Sequence, residues 1–330
     1  MKSRSWHRVR WSLRVKARCI VCMVIAGMMG GHGLCLHAQI LTKEDLRKQI
    51  AIYETASHQA DMHTLPAAQA GRIWSQLGTL YQDAGLYSKS EDAFEHAMRL
   101  LTAPPVDRQA LASNIDNLGT LYVEMGNVKE GEQAELKALK MREETGLKPE
   151  LARSWFHLAT TYTREHERRK ARAYAQLAAD AFLSDPTATP EDKVGSLFVL
   201  AFSLCQYHQY PEAIAKLQDA MQLIRVTYQP DQLPKGIGEF LLGYADAKNG
   251  DLVAAGDWMR QGTEIIANQL GERHPACFSV MVEYERFLRR THQSEEAHVI
   301  EQRVKRVRSE LASDPVYRQR VETVDVTALF

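Results

Sequence analysis

One pattern recurs along this chain and limits what it can fold into. Leu77 is matched by Leu118, Leu158, Leu200, Leu242 and Tyr284, at separations of 41, 40, 42, 42 and 42 residues. Beside each stands a position for close helix approach: Gly78, Gly119, Ala159, Ala201, Gly243 and finally Glu285. Two more small-residue registers keep step. One is Ser90, Gly131, Ala171, Ala213, Ala255 and Ala297; the other is Ala97, Ala138, Ala178, Ala220, Gly262 and Val304. Three registers held over six units describe one supersecondary unit stacked on copies of itself, not a single globular core.

Each unit reads as two helices. In Trp74 to Ala97, Trp74, Leu77 and Tyr81 share one helical face, and after a break around Gly85 a second amphipathic helix carries Phe94 and Ala97. This stretch resembles the tetratricopeptide repeat (TPR), with its Trp, Leu-Gly, Tyr, later Ala and Phe. Only the Ala place departs, holding Ser90. The spacing near 42, with Leu270-Gly271-Glu272-Arg273-His274-Pro275 and the worn Gly146-Leu147-Lys148-Pro149, resembles the kinesin-light-chain-like subclass. The resemblance implies an all-α fold, a right-handed α-solenoid of TPR helix pairs, over residues 66–312. The six repeats are expected at about 71–107, 112–147, 152–188, 194–230, 236–272 and 278–312. A leading helix and loop occupy 39–65, where Thr42 and Asp45 suit a capping box and Leu46, Ile50, Ile52, Tyr53 and Ala56 form an apolar face. The sixth unit has a charged second helix, Glu295 to Leu311, as a solenoid end requires. Residues 313–330 form a tail in which Val324 and Val326 alternate with Asp325 and Thr327, a segment that either frays or docks.

Zero net charge conceals an asymmetry. Residues 1–38 carry seven Lys and Arg and no Asp or Glu, leaving 34 basic against 41 acidic residues in the body. An acidic body without a basic stripe excludes nucleic acid as the main partner. The basic start, the apolar run Cys19 to Met29 and Leu36-His37-Ala38 before Gln39 read as a signal sequence cleaved after about Ala38. The alternative is an uncleaved anchor over Cys19 to Leu36, the only membrane contact expected. Both readings place the body outside the cytoplasm, periplasmic or secreted. Of five cysteines only Cys205 and Cys277 lie in the body, and they read as packing residues.

No catalytic constellation, phosphate-binding glycine loop or metal-ligand spacing is present, so no enzyme activity, cofactor or metal is expected. The histidines, including His166, His292 and His298, read as scattered and solvated. The TPR resemblance implies instead a concave groove lined by first helices. Its places fall at fixed offsets from the Leu of each Leu-Gly pair, giving Gln76, Thr79, Asn117, Thr120, His157 and Thr160 in the first three units. The next two give Phe202 and Tyr244, with Phe198 and Phe240 close by, and the sixth gives Arg286 and Arg289. A polar half, an aromatic middle and a cationic end suit an extended peptide with one apolar anchor and an acidic group. Ser75 and Thr79 stand where the chaperone-binding members of the family carry a Lys/Asn clamp, so that activity is not implied. The expected function is a non-catalytic protein or peptide-binding scaffold. Alternatives are an accessory or regulatory module of a separate exported enzyme or transporter, and a self-assembling structural protein.

Overall fold

A computed structural model describes residues 43–313, apart from 63, 64, 145 and 147. The proposed signal sequence, Thr42 of the capping box and the tail beyond 313 lie outside the described residues. Helix α1 (Lys43–Met62) precedes six antiparallel pairs. They are α2 (Ala67–Asp83) with α3 (Tyr87–Leu101), α4 (Arg108–Glu124) with α5 (Val128–Glu143), and α6 (Lys148–Arg164) with α7 (Arg168–Ser184). Then follow α8 (Pro190–Gln206) with α9 (Tyr210–Thr227), α10 (Leu233–Asn249) with α11 (Leu252–Leu270), and α12 (Pro275–Arg290) with α13 (Ser294–Ser313). No strand occurs among the described residues, and no helix among them is long and apolar enough to cross a membrane.

The three registers are the packing surface. Leu77, Leu118, Leu158, Leu200, Leu242 and Tyr284 are all buried, as are both small-residue series in the second helices. Small size is a steric necessity: a Cβ on Gly131 would lie 2.4 Å from Val123 Cγ2, and one on Gly243 would lie 2.7 Å from the Ala255 carbonyl. Ser90, the departure from Ala, donates its hydroxyl to the Gly78 carbonyl at 2.8 Å, so the buried polar atom is satisfied. Helix α1 covers the first pair. Tyr81 Oη donates to Glu54 Oε1 at 2.6 Å and Trp74 Nε1 to Asp61 Oδ1 at 3.1 Å. Ile52, expected on the apolar face of α1, is exposed, because Ser57 and Ala60 are the residues that turn inward.

Every pair turns in the same way. Gly85, Gly126, His166, His208, Gly250 and His292 all adopt positive φ. The N–H of the following residue reaches the carbonyl five residues back, from Leu86 to Tyr81 at 2.7 Å through Gln293 to Leu288 at 2.9 Å. This bond closes the helix C-terminus and reverses the chain. The three histidines among these are therefore turn residues, occupying a conformation that the other repeats assign to Gly.

Adjacent pairs stack so that the first helices of the first five repeats touch one another, whereas the second helices make no comparable contact. The first helices thus line the inner side of the stack. One apolar core runs unbroken from Ala152 in α6 to Val307 in α13. The first two repeats hold smaller, separate clusters around Leu77 and Phe94. Polar side chains cause the interruption, with Asp116, Glu135 and Arg142 buried at positions where the next three repeats carry apolar groups.

Candidate functional site

In the polar half of the inner face, the expected groove residues are occupied with their own scaffold. Thr79 and Thr120 are buried, and their hydroxyls donate to the carbonyls of Ser75 and Asp116, four residues earlier. Thr160, half-buried, donates to His157 at 2.7 Å. Threonines on a helix make this bond readily, which removes the donors a ligand backbone would need. Gln76 and Asn117 remain half-buried on the surface, and Asn117 Nδ2 lies 3.4 Å from Thr79 Oγ1. His157 is buried and belongs to the core, correcting its assignment to the groove.

His157 is one corner of a buried ionic cluster that joins the second and third repeats. Arg142 Nη1 of α5 donates to Asp116 Oδ2 of α4 at 2.6 Å and to Ser154 Oγ of α6 at 2.6 Å. His157 Nδ1 lies 2.9 Å from the same carboxylate oxygen. Burial alone would raise the Asp116 carboxyl, but the charges of Arg142 and His157, each bonded to it, hold it well below the usual carboxylate range. Asp116 is therefore ionised, an acceptor only, and His157 Nδ1 carries the proton. Nearby Glu135 behaves oppositely. Burial, reinforced by the charge of Asp116, pushes its carboxyl well above the ordinary value, and Thr161 donates to it at 3.0 Å.

The aromatic middle divides into core and surface. Phe198 and Phe240 are fully buried within the continuous core, because they fall one residue earlier on the helix and point between repeats. They are not groove anchors. Phe202 is nearly covered, while Tyr244 is half-buried, its ring centroid 6.0 Å from that of Phe202. Lys248 Nζ stands 5.2 Å from the Tyr244 ring centroid, within cation–π range. Lys248, Arg286 and Arg290 act together on the buried Glu283, and Arg286 Nη1 bonds it at 3.1 Å. Three cations around one carboxylate leave this part of the face positive. Arg289 does not join them. It pairs with Glu285 and, at 3.2 Å, with Glu301 of α13, tying the last helix pair together.

Sequence reasoning passed over one register on this face. The residue six after each Leu of the repeating pair is Asp83, Glu124, Arg164, Gln206, Lys248 and Arg290. It is the last residue of each first helix, or in the fifth repeat the last but one, and it changes sign along the stack. Burial and the neighbouring Glu124 push the Asp83 carboxyl well above its ordinary value. Burial pushes Glu124 up to about 7, moderated by Arg164 and Gln82. Arg164 itself donates to the Val123 carbonyl at 2.7 Å, capping the end of α4.

Other reactive groups are occupied by packing. Cys205 and Cys277 are free and buried, and burial pushes each thiol up to about 12. Among the described residues no group of three or more His, Cys, Asp or Glu is placed to hold a metal ion.

No protein-family model and no curated protein sequence matches this chain. Solved structures match in fold. BtubC (BKLC) from P. vanneervenii is 18% identical with a TM-score of 0.56, covering 68% of this chain and 92% of its own. The apo form of RapI is 11% identical with a TM-score of 0.62, covering 84% and 93%. NprR in complex with its cognate peptide NprX is 13% identical with a TM-score of 0.61, covering 94% and 82%. With the kinesin-light-chain-like repeats also among the similar structures, the architecture is that of a TPR-type α-solenoid.

Proposed function

Taking the TPR-type solenoid as premise, we propose that this chain is a non-catalytic scaffold that binds a protein or an extended peptide along its inner face. The observation that carries the reading is the patch formed by Tyr244, Lys248, Arg286 and Arg290 beside Phe202. An amphipathic ring there is partly open to solvent, next to an excess of positive charge, on first helices that face inward. Aromatic anchors flanked by cations suit a peptide with one apolar residue and an acidic group. The complex of NprR with its cognate peptide NprX, within the same fold, supports a peptide partner. The N-terminal sequence supports action outside the cytoplasm after cleavage near Ala38.

The test is capture from an extract of the source cells by the full chain and by Tyr244→Ala/Arg286→Ala, with thermal unfolding of both as the folding control. A partner retained by the parent and lost by an equally stable variant supports the groove. Equal recovery by both proteins overturns it and moves the site to the outer face or the tail. Mass spectrometry of the secreted protein, with its mature N-terminus near Gln39, checks the location.

A further inference from the structure

The inner face carries cations at one end and two carboxyl groups at the other. At the cationic end stand Lys248, exposed, and Arg290, exposed, with Arg286 between them and the buried Glu283. At the other end stand Asp83 and Glu124, at matching places in the first and second repeats. Neither carboxylate has a salt-bridge partner among the described residues. Arg164 acts on Glu124 while its own Nη1 is bonded to the Val123 carbonyl. Beside them Gln82 is 5% exposed; its amide group hydrogen-bonds Glu124, and its amide oxygen has no hydrogen-bond partner. A buried amide oxygen left in that state is uncommon, and it offers an acceptor to an incoming donor.

Building on the peptide-groove reading, we propose that the groove is polarised and takes an extended peptide in a single orientation. A cationic group of the peptide sits at Gln82, Asp83 and Glu124, and an acidic group sits at Lys248 and Arg290. Two carboxylates that repel each other are relieved by an arriving ammonium or guanidinium, which also gives the Gln82 carbonyl a donor. The charged ends fix direction, because the reversed peptide would place like charges together at both ends. The span follows from the packing. Touching first helices lie roughly 10 Å apart, so three repeat steps from Glu124 to Lys248 cover about 30 Å, which an extended chain crosses in about nine residues.

The experiment measures binding of four end-blocked, labelled ten-residue peptides with a central Leu-Tyr to the full chain. One carries Lys-Lys then Glu-Glu at its ends, one the opposite order, one Glu-Glu at both ends and one Lys-Lys at both ends. One of the two mixed peptides is expected to bind at least tenfold tighter than its reverse and than either single-sign peptide. Asp83→Asn/Glu124→Gln should erase most of that advantage without weakening the Glu-ended peptide, whereas Lys248→Gln/Arg290→Gln should weaken both. Mixed peptides that bind no better than the Glu-ended one, while Tyr244→Ala still lowers binding, would overturn the polarity and leave the groove standing. Binding unaffected by Tyr244→Ala, or no binding of any peptide, would overturn the groove reading itself. Matching thermal unfolding curves keep either result from being attributed to misfolding.

Discussion

Asp116 and Arg142 form a salt bridge of 2.6 Å in which the side chains are 0% and 1% exposed. It lies inside the second repeat, and His157 of the third repeat shares the same carboxylate oxygen. A buried pair of this kind is a weak source of net stability, yet breaking it strands a charge without solvent. Arg142→Met is therefore expected to destabilise the chain by about 3–5 kcal/mol. The double variant Asp116→Leu/Arg142→Met should recover much of that loss. Urea unfolding of the two variants against the parent measures the difference, and equal losses would mean that the cluster acts through packing alone.

The same carboxylate gives a sign to the acid response. Asp116 is held below its ordinary value of 3.8, so the folded chain keeps it ionised where the unfolded chain takes up a proton. Its contribution is fully present above pH ~4 and is lost as the pH falls toward the folded value. Unfolding free energy measured from pH 5 to pH 3 should fall more steeply in the parent than in Asp116→Asn.

Two aromatic residues four apart on α10 are expected to respond in opposite ways. Phe240 is fully buried and Tyr244 is half-buried on the inner face. Phe240→Ala should cost about 3–5 kcal/mol by leaving a cavity between repeats. Tyr244→Ala should change stability by less than about 1 kcal/mol while removing peptide binding. Unfolding and binding measured on the same two proteins separate core from site.

His292 sits at φ 60, where the first, second and fifth repeats carry glycine. A β-carbon is strained there, so His292→Gly is expected to raise stability by about 0.5–1 kcal/mol, the reverse of an ordinary loop glycine. Calorimetry checks the direction. A loss of stability would show that the histidine side chain has a role beyond the turn.

Glu124, pushed up to about 7 by burial, connects pH to the polarised groove. A cationic peptide end favours the ionised carboxylate, so affinity for the matching mixed peptide should rise as the pH increases from 6 to 8. The groups facing Glu124 are Asp83, Gln82 and Arg164, with the buried Glu135 also acting on Arg164's neighbourhood. Glu124→Gln should flatten the dependence, and titration of binding by fluorescence anisotropy reads it directly.

What was legible in the sequence was whatever each repeat contributes at a fixed offset. Leu158 and Ala178 are buried because they belong to registers that must meet a neighbour in every unit. Reading the offset six residues beyond each Leu would have found the change of sign from Asp83 to Arg290. The histidine turns were also within reach, since His166, His208 and His292 stand in step with Gly85, Gly126 and Gly250. The fate of single groove places was not legible. Thr120 and Tyr244 share one offset, yet the first is buried and bonded to its own helix while the second is half-buried and partly open to solvent.

The sequence by itself therefore determined the helix pairs, their number and the faces that pack, because a linear repeat buries its surface against immediate neighbours by local periodicity. Only the tertiary structure decided which inner-face residues meet solvent. That depends on which side chains the neighbouring repeat covers: Phe198, Phe240 and His157 are buried, whereas Tyr244 is half-buried and Lys248 and Arg290 are exposed. The buried Asp116–Arg142–His157 cluster has the same origin. Its members lie 26 and 41 residues apart, and only the stacking of three helices brings them to one oxygen atom.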